Sequence, residues 1–201
     1  MLSNGRLSRR SVLALAAGTA LVGLIPRAAL ALTDRQASDL IQAVVTDINK
    51  VINSGKRGSA MYAEFERIFV KYGDVPIIAR SSLGVAWRSA TAAQQAAYTA
   101  AFQGYMARTY GARFEEFVGG KIEVTGTKKV SSGYLVTSVA YLKGSKPFTV
   151  EWQVSDKSNK MFNLYIEGIS LLATERTEIA AMLDKRGGDI DQLIKDLHTA
   201  K

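Results

Sequence analysis

The residue types that carry most protein chemistry are scarce in this sequence. Cysteine is absent, and the one histidine, His198, falls on a short predicted helix close to the last residue. A serine or cysteine nucleophile needs a rigidly held base, and a metal site needs several ligands at fixed spacing. The sequence therefore predicts a protein that is not an enzyme, with no catalytic residue, no metal site and no cofactor.

Two groups of charged residues could still act on a ligand. Glu115 and Glu116 are adjacent on a predicted helix, so their side chains diverge and a solvated face is the favoured interpretation. Arg80, Arg88 and Arg108 could each bind a phosphate bidentately. The favoured alternative is structural: each arginine pairs with a carboxylate or donates to loop carbonyls.

These arginines belong to one stretch, residues 65–110, for which three helices are predicted. Asp74 can cap the second helix, which has Pro76 in its first turn, and Thr91 with Gln94 forms a capping box that opens the third. Along the third helix an apolar face recurs at spacings of three and four residues, through Tyr98, Phe102, Tyr105 and Thr109. Such a face either packs a core or lines an apolar pocket, and periodicity alone leaves both open.

The flanking segments predict the rest of the fold. Thr33 and Gln36 form another capping box, ahead of an amphipathic helix. After Gly120 the apolar period changes from helical to strand-like, in four runs that begin near residues 122, 134, 148 and 162. Helical patterns return after Ser170 and after Asp189, which can cap the last helix. This order predicts an α+β fold: a single domain of about six helices packed on one four-stranded antiparallel sheet.

Residues 1–31 have the pattern of a cleaved secretory signal. Arginines come first, an apolar run covers residues 12–25, and Ala29-Leu30-Ala31 is a small-residue cleavage site. Ser8-Arg9-Arg10 resembles the core of a twin-arginine export signal. The sequence therefore predicts a periplasmic protein whose mature chain, residues 32–201, begins near Leu32.

Removal of that segment halves the net charge. The full chain has 26 basic and 18 acidic residues, a net charge of +8. Residues 1–31 contain four arginines and no acidic residue, so the mature chain keeps 22 basic residues and a net charge of +4. Nucleic acid is not expected to be the partner of an exported protein with this balance.

A family resemblance extends along most of the chain after residue 34. It is carried by an ordered series: Phe69-Val70-Lys71-Tyr72-Gly73-Asp74-Val75-Pro76, Ala79-Arg80, Leu83-Gly84, Trp87-Arg88, Thr91, Gln94, Phe102, Thr109-Tyr110, Tyr165-Ile166-Glu167-Gly168-Ile169-Ser170-Leu171 and Arg176. The series resembles the toluene-tolerance/MlaC family of periplasmic phospholipid shuttles. The resemblance implies that residues 32–201 form a lipid-binding domain, with an apolar cavity for acyl chains between helices and sheet.

The resemblance also implies partners. Shuttles of this family carry phospholipid between an inner-membrane ABC transporter complex and an outer-membrane lipoprotein complex, so a monomer that makes transient membrane contact is expected. Relatives linked to hopanoid pathways leave another lipid open as the ligand, as does Asn163, which stands where relatives commonly have Asp. The competing class is a periplasmic adaptor module whose apolar faces are only core and which has no ligand.

Periodicity and the implied cavity together give thirteen candidate lipid contacts. They are apolar residues on the inward faces of neighbouring predicted elements: Phe69, Ile78, Leu83, Trp87, Phe102, Tyr105, Met106, Val124, Val139, Val150, Trp152, Leu164 and Ile166.

Basic residues in the predicted hairpin links are candidate docking residues. In a meander the first and third links lie at the same end of the sheet, which gathers Lys128, Lys129, Lys157 and Lys160 there. Such an end could face anionic headgroups or acidic surfaces of membrane-bound partners. Lysine also protects solvated turns and sheet edges, so a plain solvated surface is the alternative.

Overall fold

The structure, a computed structural model, describes residues 32–200. Its helices are α1 (Asp34–Ile52), α2 (Ser59–Tyr72), α3 (Val75–Leu83), α4 (Ala92–Arg113), α5 (Leu171–Lys185) and α6 (Ile190–Thr199). Its strands are β1 (Lys121–Val130), β2 (Gly133–Tyr141), β3 (Phe148–Ser155), β4 (Met161–Ile166) and β5 (Ile169–Ser170). Short 3-10 helices, Gly84–Arg88 and Phe114–Phe117, follow α3 and α4. Among these described helices none is both long and apolar enough to cross a membrane.

Side-chain caps determine where several helices begin. Four predicted caps are confirmed, and each satisfies backbone N–H groups in the first turn of its helix: Thr33 with Gln36 at α1, Asp74 at α3, Thr91 with Gln94 at α4, and Asp189 at α6. A fifth, Ser59 as the cap of α2, is wrong: Ser59 is the first residue of that helix, and its N-cap is Gly58, which has no side chain to accept a hydrogen bond. The predicted signal segment, residues 1–31, lies outside the described residues.

The sheet is fully antiparallel, with strand order β1-β2-β3-β4-β5. The predicted number of four strands is therefore wrong by one, although the α+β class and the six helices agree with the described part of the chain. The fifth strand follows β4 through a two-residue turn at Glu167 and Gly168, whose φ angles are 49° and 81°. Positive φ at both positions is typical of a type I′ hairpin turn, which usually contains Asn or Asp before Gly. Because glutamate occupies the first turn position, the sequence does not show the usual signal for this turn. Strand β5 itself has only two residues, too few to show apolar alternation.

The buried apolar residues form two clusters. The first lies between α1 and the sheet, where Ile41, Val44 and Ile48 meet the inward faces of β2 and β3. The second is helical and joins α3, α4 and α6 around Phe102 and Leu193, which are both fully buried. The space that remains between the two clusters is the candidate site.

Candidate functional site

An apolar cavity of about 170 Å³ takes its wall from both clusters. The wall residues come from α1, α2, α3, α4 and the 3-10 helix after α4, and from β1, β3, β4 and the first turns of α5. Strand β3 contributes because its residues alternate, so that Val150 and Trp152 are turned to the helices and buried. The site is thus an apolar hollow between helices and sheet, in the position that the family resemblance implies.

Seven of the thirteen predicted lipid contacts line this cavity. They come from three helices and two strands that converge on it: Phe69, Ile78, Met106, Val150, Trp152, Leu164 and Ile166. Their contact with a lipid stays a prediction, because no ligand is present in the structure.

The other six predicted contacts lie outside the wall. Four belong to the helical cluster or pack against it: Leu83, Trp87, Phe102 and Tyr105. Val124 packs against the cluster between α1 and the sheet. Val139 is on the outer face of β2, because the alternate positions Val136, Ser138 and Ala140 are the buried ones. These six positions pack the fold or face outward, and none of them borders the space itself.

An aromatic group that sequence analysis did not select dominates one side of the wall. Phe65 is at its centre, with its ring centroid 5.9 Å from that of Phe69, 6.3 Å from Tyr110 and 5.1 Å from Phe114, the last in an edge-to-face arrangement. The remaining unselected wall residues are Val44, Ile48, Ile68, Arg113, Phe117, Ile122, Met161, Phe162, Asn163, Leu171, Leu172 and Glu175. The sequence pattern places most of these residues on apolar faces of helices or strands, but it does not indicate which of those faces border a cavity.

Asn163 fixes the beginning of α5 at the edge of the cavity. Its Oδ1 accepts the backbone N–H of Leu172 at 3.1 Å, while its Nδ2 lies 3.0 Å from Oε1 of Gln153 and 3.1 Å from Oγ of Ser170. Both ends of the amide are therefore engaged within the protein. An aspartate at this position could accept the same backbone N–H but could not donate to Gln153.

Glu175 is the carboxyl group of the cavity wall. Only 3% of its surface is exposed. Its Oε1 accepts a hydrogen bond from the Tyr110 hydroxyl, and its Oε2 is buried with no hydrogen-bond partner among residues 32–200. Burial raises the pKa of Glu175, and the nearby Glu178 raises it further, whereas the Tyr110 hydrogen bond and Arg113 oppose that rise. The uncharged, protonated carboxyl is thus favoured inside the fold.

This burial makes stability depend on pH, and Glu175→Gln should remove that dependence. The unfolded carboxyl ionises near pH 4.5, whereas the folded protein holds the proton to higher pH. The contribution of the protonated Glu175 carboxyl to the free energy of unfolding is fully present below about pH 4.5. It is lost as the pH rises through the folded pKa, by about 1.4 kcal/mol for each pH unit between the unfolded and folded pKa values. Urea unfolding at pH 4 and pH 8 should therefore show a stability advantage of the variant that grows with pH.

The matched control for this measurement is Glu116→Gln, which alters an exposed carboxylate on the 3-10 helix after α4. It should leave the pH profile of the parent protein unchanged. A parallel profile for Glu175→Gln would contradict the burial argument.

The remaining charged candidates have structural or exposed positions. Arg108 donates to the backbone carbonyl of Leu197 and, at 3.0 Å, to that of Ala200, so it holds the end of α6. Glu115 accepts the backbone N–H of Gly58 ahead of α2 at 2.6 Å. The side chains of Arg80, Arg88, Glu116 and His198 are exposed. No group of three potential metal-ligating side chains occurs within residues 32–200.

The four candidate docking lysines do lie at one end of the sheet. Val130 of β1 pairs with Gly133 of β2, which in turn pairs with Ser155 of β3. The β1–β2 turn and the β3–β4 link are therefore neighbours. Lys157 and Lys160 lie in the β3–β4 link, as predicted. Lys128 and Lys129, predicted in a link, lie instead near the end of β1, which extends to Val130 because these residues pair with Leu135 and Tyr134 of β2. Three of these lysines are exposed, and the fourth, Lys160, directs its Nζ to the Val70 carbonyl at 3.3 Å. Their role in docking stays a prediction.

Comparison with known proteins identifies the fold and the family. A solved structure of a phospholipid-binding protein from Ralstonia solanacearum, in complex with a phospholipid, superposes with a TM-score of 0.68. The match covers 80% of this chain and 94% of that protein at 20% sequence identity, a level at which the likeness shows a common fold. The family model described as MlaC protein matches residues 39–199, which confirms the resemblance seen in the sequence. This chain belongs to the MlaC protein family.

Proposed function

We propose that this protein is a periplasmic lipid carrier that shelters acyl chains of a phospholipid in its cavity. In this role it shuttles the lipid between transport complexes of the inner and outer membranes. The observation that carries the proposal is the apolar cavity between helices and sheet. Membership of the MlaC family supports it, as does a fold shared with a protein solved in complex with a phospholipid. The signal-like pattern of residues 1–31 supports the compartment.

The hydrophobic effect explains why such a carrier is needed. Burial of one methylene is worth about 0.8 kcal/mol, so a two-chain lipid of roughly thirty methylenes resists transfer into water by more than 20 kcal/mol. An aqueous compartment can be crossed only if protein takes the place of the membrane around the chains. The same free energy makes spontaneous release slow, so a partner must open the cavity or accept the chains directly.

The cavity is too small to hold a whole lipid without a change in its wall. A dry apolar cavity of about 150 Å³ holds a molecule of the size of benzene. The 170 Å³ cavity is therefore wide enough for a short part of one acyl chain. We infer that wall side chains move aside when a whole lipid enters. Partly buried wall residues such as Phe117 and Leu164 can do so, because neighbouring side chains do not fully enclose them.

The test is native mass spectrometry of the protein purified from the cell that produces it. The expected spectrum contains the polypeptide plus the mass of a two-chain phospholipid, which chloroform extraction should remove. A mass increment of a polycyclic lipid would favour the hopanoid alternative. Protein that is free of lipid, and that takes up none from phospholipid vesicles, would favour the adaptor alternative and contradict the proposal.

We further propose that the lysine end of the sheet docks on anionic headgroups or acidic partner surfaces. Three of its four lysines are exposed, and the end of β1 and the β3–β4 link, which carry the lysines, lie at the same end of the sheet. Electrostatic steering by such a cluster speeds association and weakens with salt, because the Debye length falls from about 10 Å at 0.1 M to about 3 Å at 1 M.

Reversal of Lys128 and Lys129 to Glu should slow lipid transfer to anionic acceptor vesicles at low salt and leave lipid retention unchanged. The matched control reverses Lys143 and Lys146, which are exposed in the β2–β3 link at the opposite end of the sheet. Transfer rates measured over a salt series compare the two variants. Equal rates for both would mean that the lysine end is only a solvated surface.

A further inference from the structure

A buried polar pair lies in the mostly apolar wall of the cavity. Tyr110 on α4 donates its hydroxyl proton to Oε1 of Glu175 on α5, and both residues line the cavity. The other carboxyl oxygen, Oε2, is buried without a partner among the described residues. The guanidinium of Arg113 lies 5.4 Å from the centre of the Tyr110 ring, so the aromatic face of the tyrosine is also engaged.

Folding alone does not account for a carboxyl group at this position. Glu175 is four residues from Leu171 and four from Ile179, so it occupies the apolar face of α5. An apolar side chain there would fill the same space without leaving a buried polar atom unsatisfied, which is destabilising and rare in native structures. A buried oxygen that lacks a partner in the protein but borders a cavity can acquire one from the occupant of that cavity.

We propose that Glu175 and Tyr110 form a polar subsite that hydrogen-bonds a neutral oxygen function, a hydroxyl or an ester carbonyl, on the lipid held in the cavity. This inference rests on the proposed lipid-binding function and specifies what the ligand presents to the inner wall. The subsite gives the cavity a preference among lipids that apolar packing could not provide, because a missing hydrogen bond leaves a buried polar group unpaired.

The charges around the carboxyl favour a neutral group over an ion. Burial favours the protonated form of Glu175, and since Oε1 already accepts from Tyr110, the proton on Oε2 is free to be donated to an acceptor. The other charged groups that act on the pKa of Glu175 are Glu178 on its own helix, which raises it, and Arg113 on α4, which lowers it, so they oppose each other. A lipid amine would require an ionised Glu175, which burial opposes, and a phosphate would have to lose its hydration shell in an apolar wall.

The test uses three eight-carbon ligands that differ in their polar group. 1-Octanol carries a hydroxyl, methyl octanoate an ester carbonyl, and 1-chlorooctane no strong hydrogen-bonding group. Each ligand displaces N-phenyl-1-naphthylamine, an apolar dye whose fluorescence reports occupancy of the cavity. The quantity compared is the affinity for each oxygen-bearing ligand relative to 1-chlorooctane, which cancels changes in general apolar packing.

In Glu175→Met the relative affinity for the recognised ligand should fall about three- to tenfold, the effect of one hydrogen bond. Glu175→Gln retains a donor and should preserve most of that affinity. A loss confined to 1-octanol assigns a hydroxyl, and a loss that includes methyl octanoate assigns a carbonyl acceptor. Tyr110→Phe, which keeps the carboxyl, should also lower the ratio, and it supplies the same readout if Glu175→Met fails to fold.

The subsite would be overturned if the affinity relative to 1-chlorooctane were the same in the parent protein, in Glu175→Met and in Tyr110→Phe. The pair would then serve only the fold. That result leaves the proposed lipid-binding function standing, because the dye and the ligands would still enter the cavity. If neither dye nor ligand enters the cavity of the parent protein, the proposed function and the subsite both fail.

Discussion

Val150→Trp should expel lipid from the cavity and leave a folded protein. Val150 is 4% exposed, lies on the inward face of β3 and borders the cavity. Its replacement by an indole would fill a large part of about 170 Å³ and compete for the space that an acyl chain needs. Exclusion of only two methylenes would weaken binding by about 1.6 kcal/mol, or more than tenfold. Native mass spectrometry should record that loss, with circular dichroism to verify the fold.

The matched control is Val154→Trp. Val154 is on the same face of the same strand and is fully buried, but it is not part of the cavity wall. With no free space beside it, the larger side chain should overpack the core and lower the free energy of unfolding by about 1–3 kcal/mol or more. The cavity is contradicted if both variants lose the same stability in urea and the parent protein holds no lipid.

The elements that could be predicted from the sequence are those with local signals. The capping boxes of α1 and α4 each consist of four consecutive residues. The alternation of β3 is visible as apolar residues at every second position: Phe148, Val150, Trp152 and Val154. Strand β5 has neither kind of signal, because it is two residues long and follows an unusual turn. Local chemistry therefore predicts helices and long strands well and misses elements that exist only through pairing.

The border between cavity and core could not be predicted, because it depends on what lies opposite each apolar face. Helix α4 illustrates this: Met106 and Tyr110 line the cavity, whereas Phe102 and Tyr105, which belong to the same helical cluster, do not. Periodicity groups such residues on one side of the helix without naming their partners. Those partners are set by tertiary contacts: Arg108 of α4, for example, holds the end of α6 beside α4.

Glu175 is the site residue for which a signal existed in the sequence. The helical face that contains Leu171 and Ile179 continues through residue 175, so a glutamate there breaks an apolar pattern. A charged residue on an apolar face indicates either an exposed end of the face or a buried group with a specific partner. The Tyr110 hydroxyl is that partner, and it lies 65 residues away in the sequence. No local pattern could have identified it.

Because Phe102 lies in the core and Phe162 lines the cavity, replacement by alanine should affect stability at the first position and lipid retention at the second. Phe102→Ala should lower the free energy of unfolding by about 3–5 kcal/mol, because a fully buried ring would be removed from a close-packed cluster. Its ring stacks on Tyr98 at a centroid distance of 5.8 Å, a contact that alanine cannot replace. The protein that remains folded should still retain lipid, since Phe102 does not border the cavity.

Phe162→Ala makes the identical change in the cavity wall, where the ring is only partly buried. Its cost in stability should be less than half that of Phe102→Ala, because one side of the ring already faces open space. Lipid retention should weaken instead, since the acyl chain loses a wall contact. Urea unfolding and lipid content per molecule separate the two outcomes. If Phe102→Ala emptied the cavity and cost less than about 1 kcal/mol, that residue would be a lipid contact and the division between helical core and cavity would be wrong.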